Sequence, residues 1–86
     1  AGFAIYPNPA TGKQVNVQLS GIEAGAVYEL SLYDAAGKLV HIEKIKPVAG
    51  NSTLSLRLKN ELAAGTYRLQ VAGDKKETTS LSLIVQ

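Results

Sequence analysis

The sequence predicts an all-β fold, an antiparallel β-sandwich of about seven short strands. Apolar residues recur with a period of two nearly everywhere. Gly, Pro, Asn and Asp break the chain between the alternating runs. No segment is left over for a long helix, and 86 residues make one domain.

The elements follow in order. A short first strand over 3–6 is closed by Pro7-Asn8-Pro9. In the second, over 13–19, Val15, Val17 and Leu19 alternate with polar residues. In the third, over 27–33, Tyr28, Leu30 and Leu32 share one face. Such clean alternation belongs to sheets with one face in water, as antiparallel sheets have. Asp34-Ala35-Ala36-Gly37 then suits a type I turn, with Asp first and Gly37 free to take positive φ. The fourth strand, 38–46, breaks parity: Val40 and Ile42 agree, and Ile45 does not. A bulge near Glu43-Lys44 would return Ile45 to the core, and Pro47 marks a strand end or an exposed edge. Leu54, Leu56 and Leu58 alternate in a fifth strand over 52–58. Tyr67, Leu69 and Val71 do so in a sixth over 66–72, and Leu81, Leu83 and Val85 in a seventh over 78–85.

A domain this small buries only about 60% of its unfolded surface, so its stability margin is thin. There is no cysteine, hence no disulfide and no thiolate metal site. Aliphatic packing must supply the core, and a hydrophobic share of 45% suffices. Net charge is +2, spread along the chain without aromatic interleaving, which reads as a solvated surface rather than a nucleic-acid interface. No apolar run approaches the ~18 residues of a membrane span, and no signal peptide is visible. The chain lacks methionine, so it reads as a piece of a longer protein or a processed product, with Ala1-Gly2 as linker or cloning remnant.

Leu62-Ala63-Ala64-Gly65-Thr66-Tyr67 has a physical reading of its own. In a Greek-key sandwich the chain must cross between sheets, and a tyrosine early in the incoming strand can fold back over the crossing. Its ring packs in the core while its hydroxyl bonds backbone a few residues upstream, near Ala63. Gly65 gives the corner backbone freedom and Leu62 plugs the end of the core. Gly25-Ala26-Val27-Tyr28 repeats the glycine-then-tyrosine phrase at another strand start.

Chemistry is sparse. His41 stands alone, and alternation with Val40 and Ile42 points it to solvent. There is no nucleophile elbow, no calcium loop and no complete phosphate loop around Thr11-Gly12-Lys13. Asn51-Ser52-Thr53 matches the short N-glycosylation triplet. An aromatic platform for sugars would have to use Tyr33, Tyr6 or Phe3; cross-strand packing explains Tyr33 better. These residues predict neither an enzyme nor a cofactor.

Several phrases in this order resemble one family. Tyr6-Pro7-Asn8-Pro9-Ala10 opens the domain, and Gly25 and Tyr28 lead into Leu30-Ser31-Leu32-Tyr33-Asp34. Gly37-Lys38-Leu39-Val40, then Leu62 to Tyr67, then Leu83-Ile84-Val85-Gln86 complete the set. The combination resembles the C-terminal sorting domain of the type IX secretion system, type A. The resemblance implies an Ig-like sandwich that directs a cargo domain, lying N-terminal to it, from the periplasm through an outer-membrane translocon of a Gram-negative bacterium. It also implies removal by a sortase-like peptidase and delivery to the cell surface or beyond. Members often carry a lysine just before the closing apolar run; here Ser80-Leu81-Ser82-Leu83 occupies that region.

The expected recognition residues are Pro7, Asn8 and Pro9 at one terminus and Leu83, Ile84, Val85 and Gln86 at the other. If the last strand lies at an edge, its backbone can pair with a receptor strand. Gly25, Tyr28, Asp34, Gly37, Leu62, Gly65 and Tyr67 are expected to be structural. The competing reading is a non-catalytic adhesion or carbohydrate-binding module of an extracellular enzyme.

Overall fold

The structure, a computed structural model, describes residues 2–6, 14–47, 50–56, 58, 61–73 and 78–86. The expected Pro7-Asn8-Pro9 feature lies outside them. The strands are β1 (Gly2–Tyr6), β2 (Asn16–Ile22), β3 (Tyr28–Tyr33), β4 (Leu39–Ile45), β5 (Gly50–Ser55), β6 (Gly65–Gly73) and β7 (Thr78–Val85). They form two antiparallel sheets in the orders β1-β2-β5 and β4-β3-β6-β7. In immunoglobulin terms one sheet holds strands A, B and E and the other C′, C, F and G, so the Ig-like Greek-key sandwich is confirmed.

Alternation explains the core. Val15, Val17 and Leu19 are fully buried from one sheet, and Leu30, Leu32, Leu69 and Leu83 from the other. The polar residues between them point to the opposite face, as a period of two requires, and Ser31 among them is buried there. Leu56 continues the inward parity of β5 beyond the end of its ladder, and its amide donates to the Val15 carbonyl at 2.9 Å. The fifth run is therefore a strand only to Ser55, though its apolar pattern persists through the half-buried Leu58. At the other end β2 runs three residues further than its alternation suggests. A register shift between Leu19 and Ile22 carries the ladder past Gly21 (φ 66°) and buries Ile22.

Two turns are closed by backbone hydrogen bonds, and one of them also by its side chain. The Asp34 carbonyl accepts from the Gly37 amide at 3.0 Å, closing the type I turn. The Asp34 Oδ1 accepts from the amides of Ala36 (3.0 Å) and Lys38 (2.9 Å), and Gly37 takes φ 85°. The Glu23 carbonyl accepts from the Ala26 amide with Gly25 at φ 79°, the conformation a type II turn needs at its third position.

The fourth strand corrects the sequence reading. Its register is continuous from Tyr28–Ile45 to Leu32–His41, so there is no bulge near Glu43 and Lys44. The extra residue is Val40, since Tyr33 pairs with Leu39. His41, Glu43 and Ile45 lie half-buried on the inward side, while Val40 and Ile42 are exposed. Ile45 packs against the core beside Tyr28 and so sets the parity; a one-residue slip would turn every side chain over. The expected solvent-facing His41 instead meets Glu43 Oε1 at 3.0 Å.

Candidate recognition surface

Antiparallel pairing gathers most of the expected features at one end of the sandwich. Tyr6, the Asp34 turn, Tyr67 and the close of β7 all lie there, because Tyr33 pairs with Arg68 and Leu83 with Tyr67. The Tyr67 hydroxyl donates to the Ala63 carbonyl at 2.6 Å, four residues upstream, and the residue is 8% exposed. That is the predicted corner: a buried phenol satisfied by the carbonyl of the crossing it spans. Leu62 is half-buried against the core beside it, and Gly65 begins β6 at φ 157°. Tyr28 is buried too. Its ring meets Phe3 edge-on at 5.4 Å and 72°, joining the two sheets near their opposite end.

Among the described strands β7 stands last in its sheet's order, hydrogen-bonded to β6 from Gly65–Val85 to Ala72–Thr78. Its four closing residues divide by parity. Leu83 and Val85 are buried, whereas Ile84 is 48% exposed and Gln86 is exposed. Only the second pair presents side chains to solvent; the first belongs to the core.

Sequence reasoning missed the outward face of β4. Leu39, Val40 and Ile42 are exposed there, with the exposed lysines 38, 44 and 46 around them. The available signal was Ile45: anchoring the strand at its end instead of its middle would have turned Val40 and Ile42 outward. Beside β4, a groove runs between His41 and the crossing residues Leu58, Leu62 and Tyr67.

The Arg68 guanidinium lies 5.2 Å over the Tyr33 ring, the cross-strand packing expected of that residue. A hydrogen-bonded patch of Gln14, Asn16 and Ser55 occupies the other sheet's outer face. Among the described residues no three His, Cys, Asp or Glu side chains converge as a metal site would require. Among the same residues no helix is long and apolar enough to cross a membrane.

Residues 4–86 match the family described as the secretion system C-terminal sorting domain. No curated protein is detectably similar to the chain.

Proposed function

Because the chain belongs to the family of secretion system C-terminal sorting domains, the tails that mark cargo for the type IX route, we propose that it is an address read on its folded surface and then cut away. The observation that carries this reading is the extent of the match, which spans the whole sandwich rather than one motif. The role implies arrival at the cell surface or in the extracellular space.

In this reading the cargo domain crosses the periplasm with the sandwich folded at its end. Translocon components bind the domain, and a sortase-like peptidase severs it from the cargo. Pro7, Asn8 and Pro9, together with Ile84 and Gln86, are the residues that meet the machinery. The exposed side chains of Ile84 and Gln86 at the close of β7 support this reading, since they offer a contact surface that the core does not use. Leu83 and Val85 act indirectly, by holding that strand on the core.

The test is a passenger protein fused to the 86 residues and expressed in a bacterium with the type IX route. The expected result is passenger outside the cell with the domain removed. Passenger retained in the periplasm with a folded, intact domain would refute the reading.

A further inference from the structure

We infer that the outward face of β4 is a docking strip for an extended, acidic segment of another protein, which adds a fifth strand to the four-stranded sheet. The inference rests on the sorting role and deepens it, by naming a second surface and the chemistry of its partner. Edge strand β4 is bonded to β3 on one side. It carries Leu39, Val40 and Ile42 at 45%, 40% and 52% exposure, half of the large apolar side chains exposed among the described residues. The exposed lysines 38, 44 and 46 surround them, Glu29 of β3 stands opposite Lys44, and Arg68 lies further across the same sheet, which leaves the face net positive. Lysine on an edge strand is ordinarily protection against unwanted pairing. Three apolar side chains among the lysines work against that protection, and their clustering needs another cause.

Charge decides between occupants. Antiparallel pairing of β4 with a second copy of itself, centred on Ile42, would place Lys38 opposite Lys46 and Lys44 beside Val40. Like charges directly opposite each other destabilise a strand pair. A segment with apolar residues facing Val40 and Ile42 and carboxylates facing Lys38 and Lys44 meets neither objection. Strand addition supplies backbone hydrogen bonds for affinity and leaves alternate side chains to specify the partner.

The test uses the same passenger fusion. Val40→Thr with Ile42→Thr keeps β-branched residues on the strand while removing its apolar character. Secretion is expected to fall roughly tenfold or more, as loss of a central apolar anchor does, with the unfolding midpoint unchanged. Lys38→Glu with Lys44→Glu should reduce secretion similarly, and Lys38→Arg with Lys44→Arg should preserve it. The charge pair keeps the inference testable should the threonine pair fail to fold. Parental secretion by the threonine and glutamate variants overturns the docking strip and leaves the sorting role standing. No secretion of the unmodified fusion overturns the sorting role itself. A dimer of the chain in sedimentation that the threonine pair dissociates also overturns the inference, since it assigns the strip to a second copy.

Discussion

Leu83 stands directly opposite Tyr67 in the β6–β7 ladder, and both side chains are buried. The closing segment of the chain and the corner that pins the sheet crossing are therefore one packing unit. Leu83→Ala is expected to cost about 2–5 kcal/mol, the range for emptying a fully buried leucine site. Urea denaturation would measure it; a cost below that of an exposed substitution would show that the strand end is not packed as described.

The corner itself separates two contributions. Tyr67→Phe removes the 2.6 Å bond to the Ala63 carbonyl and keeps the ring. The expected loss is about 0.5–1.5 kcal/mol, the net value of one hydrogen bond in a folded protein. Tyr67→Ala also removes the buried ring, for about 3–5 kcal/mol. Equal stability of the phenylalanine variant and the parent would mean that the phenol contributes nothing to holding the crossing.

The β3–β4 turn gives a backbone prediction. Nothing lies within 4 Å of a Cβ built on Gly37, so Gly37→Ala meets no steric obstacle beyond its own φ of 85°. The left-handed conformation alone should then cost about 1–2 kcal/mol. Asp34→Ala leaves the amides of Ala36 and Lys38 to water, for about 1 kcal/mol, while Asp34→Asn keeps an acceptor and should cost less. Thermal midpoints of the three variants would order these effects.

The sheets were legible because burial on one face imposes a period of two, and the corner because a tyrosine two residues after Gly65 has few other uses in a sandwich. The Asp34 turn was legible for a similar reason: its residue types are the ones its geometry requires. Strand β4 was not. Its inward positions hold the His41–Glu43 pair at the open side of the sandwich, so local hydrophobicity pointed to the wrong face. Parity there is set by contact between Ile45 and the core, which is tertiary information. The extra residue of β4, Val40, was hidden likewise, since an insertion leaves no mark in a pattern already broken. In β7 the shared parity of Leu81, Leu83 and Val85 made the inward face legible, and it leaves Ile84 as the exposed apolar side chain of the closing residues.

That parity also makes truncation a poor probe of sorting, and a substitution a good one. Deleting residues 83–86 removes two buried side chains and the rungs opposite Tyr67 and Gly65, so an export defect would not be separable from lost stability. Ile84→Lys changes a side chain that is 48% exposed and leaves the ladder in place. Its effect on stability should stay within about 0.5 kcal/mol, as for other surface substitutions. Under the proposed sorting role, the fused passenger should nevertheless accumulate in the periplasm, because a charged side chain would replace the apolar contact offered to the receptor. Circular dichroism would establish the fold, and cell fractionation the location of the passenger. Normal export of a folded Ile84→Lys variant would remove the β7 face from recognition and leave it as the last layer of the core.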